Sequence, residues 1–336
     1  VQLLYFRNLL IMKKLIYLVV ALLSAPCMAQ VYKSTEPLAH TFSIVARDPK
    51  TGEMAAAVQS HWFSVGSSVI WGKSGVGVVA TQSFIRKAYG PQGLDLMGKG
   101  ESPQKALNEL LGKDPGREVR QVAFLNTKGE TAVYTGKNCI DYAKDLHGIN
   151  YSVQSNMMLT DQVCLAMQKA WLKNTNTPLA ERVVACLKAA QGAGGDIRGK
   201  QSAALIVVAG KPAKDSWDDK LIELRVDDNA NPIAELSRLL ALHRAYEHMN
   251  NGDLLVEKGD MPKAMAEYSA AEKMFPSNLE MQYWHAITLA NNKGVQQAAK
   301  MLKKIYAIDP NWRELTRRLP KVAQLNVTPA ELKLLL

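Results

Sequence analysis

The sequence has no Cys-x-x-Cys pair and only 4 cysteines in 336 residues. That removes zinc ribbons, thioredoxin-like redox sites and a disulfide-built scaffold. Six histidines are present, His40, His61, His147, His243, His248 and His285, without metal-ligand spacing. His243 and His248 stand five apart, not the i, i+4 of one helical face. There is no Rossmann fingerprint, P-loop, GxSxG elbow or HExxH, so several large enzyme classes fall away. Past the N-terminal region no stretch is long and apolar enough to span a bilayer. The chain also lacks a basic stripe interleaved with aromatics. Its formal charge of +10 is spread thinly, in pairs such as Lys303-Lys304 and Arg317-Arg318, and three of the charges (Arg7, Lys13, Lys14) precede residue 30. Nucleic acid is therefore not an expected partner. No cofactor and no metal are expected.

What is present is a foldable globular composition, 47% apolar and 21% charged, at a length that suits about two domains. Met12-Lys13-Lys14 is a basic n-region, residues 15–23 (LIYLVVALL) an apolar h-region, and Ser24 to Ala29 brings a small residue to the cut. This is the pattern of a secretory signal peptide cleaved after Ala29. Residues 1–11 are expected to lie upstream of the true start. The expected location is periplasmic or secreted, with no membrane contact after cleavage. Loss of Cys27 leaves Cys139, Cys164 and Cys186, an odd number that allows at most one internal disulfide. Cys164 and Cys186 fall in helical patterns and read as buried apolar residues.

Residues 41–48 (TFSIVARD) alternate apolar and polar, and 53–60 (EMAAAVQS) continue after the turn Pro49-Lys50-Thr51-Gly52. A hairpin with Asp48 facing Glu53 sets Thr41 opposite Ser60. Further strands are expected at 69–71, 76–82, 121–125, 131–134, 202–208 and 221–226. A glycine-punctuated stretch (Gly90, Gly93, Gly98, Gly100) carries short helical content, and helices are expected at 102–111, 161–171 and 178–190. Hairpins flanked by helices give an antiparallel α+β layered domain, not a doubly wound sheet.

From Ile233 onward the pattern is helical and repeats. Gly252, Ala264, Tyr268, Ala271 and Pro276 recur 34 residues later as Ala286, Ala298, Leu302, Ile305 and Pro310. That period and those residue sizes match a tetratricopeptide unit. Two units bury little alone, so helix 233–250 and the tail from Arg313 are expected to cap them.

Short clusters of hydroxyls, amides and acids remain as candidate chemistry: Thr41 and Ser43, Gln59-Ser60-His61, Thr81-Gln82-Ser83, residues 152–156, and Asp196 to Ser202. Around them TFSIVARDPKTGE, QSHWFSVGSSV, GVGVVATQS, YGPQGL, DPGREVRQV, YSVQSNMM, GGDIRGKQSAALIVV and NPIAELSRLLALHRAYE resemble the family catalogued as domain of unknown function 1028, over about residues 40–247. That family is assigned to the N-terminal-nucleophile (Ntn) hydrolase superfamily. The resemblance implies a four-layer αββα sandwich in which a strand's first residue, freed by cleavage, attacks an amide while its own α-amino group is the base. Such an amine titrates near pH 8, within reach of proton transfer at neutral pH. The matching residue is Thr41. Family members that look cytosolic begin Met-Thr-Phe-Ser, whereas signal cleavage here leaves residues 30–40 in front of Thr41, so a second cut after His40 is required.

The resemblance places Gln59 and Ser60 beside Thr41 to orient the amine, although an acid is common at that strand end. The Thr81-Gln82 backbone is a candidate oxyanion hole. Ser67 and Ser68 stand where a basic residue usually lowers the nucleophile's pKa, which argues against proteasome-like proteolysis. Asn156, Asp196 and Ser202 are secondary candidates. Ser43 shares Thr41's strand face and is an alternative nucleophile after a different cut. His61 is either a catalyst or a strand-end residue, and Asp196 and Arg198 are a simple ion pair on the plain reading.

The expected organisation is 1–29 upstream residues and signal peptide, 30–40 linker or propeptide, 41–232 an Ntn-hydrolase-like domain, and 233–336 helical repeats. The expected function is an exported amidohydrolase acting on a small amide or peptide-like bond, its repeats docking a protein partner or a second copy. The alternative is a catalytically silent Ntn-like binding or scaffold module whose repeats mediate protein–protein interaction.

Overall fold

The computed structural model describes residues 38–336. The signal-peptide reading and residues 30–37 of the linker lie outside the described residues. The elements run β1 (Leu38–Ala39), β2 (Thr41–Arg47), β3 (Met54–Ser60), β4 (Ile70–Lys73), β5 (Gly77–Phe84), α1 (Tyr89–Gly98), α2 (Pro103–Gly112), β6 (Arg120–Asn126), β7 (Thr131–Thr135), β8 (Lys144–Gly148), β9 (Tyr151–Ser155), α3 (Val163–Lys173), α4 (Leu179–Gly192), β10 (Ser202–Val208) and β11 (Lys220–Val226). Five helices follow: α5 (Pro232–Glu257), α6 (Met261–Met274), α7 (Leu279–Asn291), α8 (Val295–Ile308) and α9 (Asn311–Arg318), with α10 (Pro329–Leu335) at the tail. The fold is mixed α+β with antiparallel sheets and a helical C-terminal region.

One sheet has the order β1-β5-β6-β7, with β4 also on β5; the other runs β11-β10-β3-β2-β9-β8. Strand alternation sends Phe42, Ile44 and Ala46 into a core shared with α3, α4 and the start of α5. Val45, Val58 and Val78 turn the other way, into the core between the sheets. A third apolar layer joins β5 and β6 to α1 and α2. The order across the domain is therefore helices, sheet, sheet, helices. Both faces of β2 and β3 are covered, which is why MAAAV reads as a continuous apolar run.

The β2–β3 register is the expected one, Thr41 opposite Ser60 and Arg47 opposite Met54. Its turn is closed by the Lys50 amide donating to Asp48 Oδ1 (2.7 Å) and by Gly52 at φ +79. The glycine-rich stretch is more ordered than the sequence suggests. Gly90 and Gly93 lie on the buried face of α1, where a Cβ would come within 2.3 Å of the Trp71 ring and 2.5 Å of the Phe124 ring. They let a full helix lie flat on the sheet, and they weaken its sequence signal for the same reason. Cys139, Cys164 and Cys186 are free and buried, and burial pushes the Cys164 and Cys186 thiols up to about 12.

Helix α5 is continuous over 26 residues. Ile233, Leu236 and Leu240 belong to the first core, whereas Ala245 and Met249 join Ala264, Tyr268 and Ala271 in the next. Gly252 lets Tyr268 approach, since a Cβ there would lie 2.6 Å from the ring. The expected capping helix and the first repeat helix are thus one rod. Helices α7 and α8 form a further hairpin closed by Leu319, Leu325 and Leu335 of the tail. Among the described residues no helix is long and apolar enough to cross a membrane.

Candidate active site

Thr41 opens β2, on the face turned toward the other sheet, and is wholly buried. The residues before it cover it. Leu38 and Ala39 add to the edge of β5 opposite Phe84 and Ser83, and His40 is 1% exposed. The Thr41 hydroxyl donates to the Ala39 carbonyl (2.7 Å).

The His40 carbonyl, one bond upstream of the Thr41 nitrogen, is held by two donors. Ser60 Oγ donates to it at 2.6 Å and Arg198 Nη2 at 2.9 Å. Arg198 is itself fixed by Asp196, which takes Nε on Oδ1 (3.0 Å) and Nη2 on Oδ2 (2.7 Å). Asp196 is buried and also accepts the amides of Arg198 (2.9 Å) and His61 (3.2 Å). A bidentate pair of this kind is short and directional.

Beneath Thr41 lies a buried network of amides and hydroxyls. Gln82 Nε2 donates to the Thr41 carbonyl (3.3 Å) and to Gln121 Oε1 (2.7 Å). Ser43 Oγ donates to Gln82 Oε1 and accepts from Gln154 Nε2, both at 2.6 Å. Asn156 Nδ2 donates to Gln121 Oε1 (2.8 Å), its backbone amide to the Thr41 carbonyl (3.1 Å), and its Oδ1 accepts from His40 Nδ1 (2.7 Å). Gln121 Nε2 is anchored on Thr135 Oγ1 and the Lys144 and Ser155 carbonyls. Each amide's orientation fixes the next, so the network holds one geometry.

The structure gathers Thr41, Ser43, Ser60, Gln82, Asn156 and Asp196. Gln59 lies across from Phe42, so strand alternation sends its side chain to the opposite face from Ser60. It is buried there, and neither polar atom of its amide has a partner. Ser43 is tied into the network on both sides. The Thr81 amide already donates to Val69 O (2.9 Å), and its hydroxyl to Arg86 O (3.3 Å). The donors facing a carbonyl next to Thr41 come from Ser60 and Arg198 instead. Ser202 pins the following loop, donating to Trp62 O and accepting the Val65 amide (3.1 Å). The His61 side chain is exposed, and only its backbone reaches Asp196. Sequence reasoning missed His40 and gave Arg198 only its ion pair. The signal was a charged residue beside three glycines, Gly194, Gly195 and Gly199, all at positive φ. Such backbone freedom bends the loop back over β2. Among the described residues no three His, Cys, Asp or Glu side chains converge as a metal site.

His40 carries a pH dependence. Burial first, and then the Arg198 charge, hold its imidazole below the ordinary value, against the raising influence of the Asn156 hydrogen bond and of Asp196. A histidine depressed in the folded state contributes stability that is present above its unfolded pKa, about 6.5, and lost as pH falls below it. Docking of the leader, residues 38–40, should weaken from about pH 6.5 downward. Hydrogen exchange at Ala39 and Phe84, corrected for intrinsic rates, should speed up at pH 5 relative to pH 8, and His40→Asn should abolish that difference.

A family model described as a family of unknown function (DUF1028) matches residues 41–236. The crystal structure of protein SPO2555 from Silicibacter pomeroyi, which carries the same family model, is similar with 30% identity and a TM-score of 0.54, over 60% of this chain and 88% of that one. Among curated proteins no relative matches. The helices after residue 236 lie beyond the family match.

Proposed function

The chain belongs to the DUF1028 family, a family of unknown function, and from its own geometry we propose that it is the precursor of an exported Ntn-type amidohydrolase with Thr41 as latent nucleophile. The observation that carries this reading is the pair of donors, Ser60 Oγ and Arg198 Nη2, on the carbonyl oxygen directly before Thr41. Donors aimed at that oxygen stabilise the negative charge it gains when its carbon is attacked. The arrangement of helices around two antiparallel sheets, with Thr41 first in a central strand, suits the superfamily that the sequence resembles.

Maturation is cleavage of the His40–Thr41 bond. The freed α-amino group of Thr41 then takes the hydroxyl proton as Oγ bonds to the substrate's carbonyl carbon. The C–N bond breaks and the amine leaves with that proton. Water adds to the resulting ester, and the acid departs. Gln82 and the Asn156 amide, both on the Thr41 carbonyl, keep the strand end in place. We read the 34-residue periodicity of the C-terminal helices as two tetratricopeptide-like units that dock a protein partner or a second copy.

One observation favours the silent-scaffold reading: residues 38–40 are folded in, and Thr41 is buried with its hydroxyl engaged on Ala39. Intact mass and N-terminal sequencing of the exported protein separate the two. The hydrolase reading expects a chain beginning at Thr41 and an uncleaved Thr41→Ala variant. A stable chain that keeps residues 30–40 selects the scaffold.

A further inference from the structure

We propose that Leu38-Ala39-His40 is a built-in image of the substrate's acyl half, so that the mature site takes an extended peptide whose last acyl residue carries a planar N–H donor, as histidine does. This rests on the hydrolase reading above and names its substrate class.

Three separate contacts hold the leader, and each corresponds to a part of an amide substrate. The first is backbone pairing. Strand β4 pairs with β5 only as far as Ile70 opposite Ala80, and the leader takes up the same edge again at Ser83 and Phe84. With residues 38–39 gone, that edge is a template for an incoming extended chain. The second is the side-chain pocket. His40 Nδ1 donates to Asn156 Oδ1 at 2.7 Å, and the imidazole meets the Phe84 ring edge-on, centroids 5.7 Å apart. Asn156 cannot turn its amide round, because Nδ2 is committed to Gln121, itself anchored on three acceptors. The pocket therefore presents an acceptor and requires a donor. The third is the carbonyl clamp of Ser60 and Arg198.

The same groups exclude other side chains. A carboxylate would set oxygen against Asn156 Oδ1. A lysine or arginine would bring a second cation into a buried space beside Arg198 and would have to shed its hydration. Alanine would leave Asn156 Oδ1 without a partner. His40 Nε2 is buried without a partner, so only the Nδ1 side of the ring is read by a hydrogen bond, and an asparagine-like amide, which also brings an N–H to Asn156 Oδ1, is the next best occupant.

The test uses two readouts. Acetyl-Leu-Ala-Xaa anilides with Xaa as His, Asn, Ala, Glu or Lys are offered to the processed chain. In parallel, His40→Asn, His40→Ala, His40→Glu and His40→Lys are placed in the unprocessed full chain, with Thr41→Ala to prevent cleavage, and leader protection is followed by hydrogen exchange. Histidine is expected to exceed alanine by about tenfold in kcat/KM, the worth of one hydrogen bond. Asparagine should lie between them, and glutamate and lysine below alanine, with the same ranking in leader protection. Asn156→Ala should flatten both rankings. Asn156→Asp, which keeps the shape, should move the preference toward lysine. Hydrolysis without side-chain preference overturns the inference and leaves the nucleophile reading intact. No hydrolysis of any anilide overturns the nucleophile reading and the substrate class together. Flat leader protection overturns the pocket whatever the chemistry does.

Discussion

Arg198→Ala should slow both release of the leader and amide hydrolysis by roughly 10²- to 10³-fold, the usual loss when one donor to a developing oxyanion is removed. The guanidinium reaches the His40 carbonyl at 2.9 Å while Asp196 holds it from behind. Ser60→Ala should cost a similar factor, since its hydroxyl is the second donor at 2.6 Å. Because they share one oxygen, the double variant should lose less than the product of the two. A merely structural role predicts something else: a lower melting temperature and an unaltered rate per folded molecule. Arg198→Lys distinguishes the two, because it keeps the charge but loses the fork that Asp196 grips, and should restore part of the rate. The readouts are intact mass against time for the leader and kcat for an anilide substrate. Unchanged kinetics in both single variants would remove the clamp from the mechanism.

The sequence made the frame of this site legible and hid its decisive contacts. Alternation in TFSIVARD and the turn at Pro49 to Gly52 were enough to set Thr41 against Ser60, because an antiparallel register follows once the turn is known. The same alternation assigns Gln59 to the opposite face, yet adjacency in the string QSH makes it look like a partner of Ser60. Strands β8 and β9 were missed since KDLHG and YSVQS are short and polar. In β9 the Ser152 and Gln154 side chains and the Ser155 carbonyl enter the buried network, and a polar strand carries no hydrophobic signature. Arg198 and His40 were hidden for another reason. They lie 158 residues apart, and only the loop bent by Gly194, Gly195 and Gly199 joins them. In the helical region, the 34-residue recurrence located the small residues that allow close helix approach. It did not show that α5 would run unbroken from one core into the next, because Asn250-Asn251-Gly252 reads locally as a helix end, whereas Gly252 is there to admit the Tyr268 ring.

Breaking the Asp114–Arg120 pair is expected to be the most damaging single change to stability. Both side chains are almost completely buried. Arg120 Nε donates to Asp114 Oδ2 at 2.9 Å and Nη1 to the Phe84 carbonyl at 2.8 Å, while Asp114 also accepts from Tyr89 Oη (3.0 Å) and the Gly116 amide (2.9 Å) and faces Arg86 at 3.3 Å. Burial works to raise the Asp114 pKa, but Arg120, Gly116 and Tyr89 outweigh it and hold the carboxyl below its ordinary value. Removal of one partner leaves a buried charge poorly compensated, at a cost of about 3–5 kcal/mol. For a domain of this size Arg120→Met should lower the melting temperature by on the order of 10 °C. Asp114→Leu combined with Arg120→Met should recover much of that loss, since an apolar pair of similar volume needs no charge compensation. The depressed carboxyl gives the pH sign: its contribution is present above the unfolded pKa of about 3.9 and is lost as pH falls through the folded value. The double variant should therefore lose less stability than the wild type between pH 5 and pH 2 in denaturant titrations. The effect should also reach the candidate site. Arg120 secures the Phe84 carbonyl at the end of β5, and Phe84 carries both the pairing with Leu38 and the ring contact with His40. Arg120→Met should then speed hydrogen exchange in the leader more than in β2, whose register depends on β3 and β9. Equal exchange in both strands would show that Arg120 supports the domain as a whole and not the leader's edge.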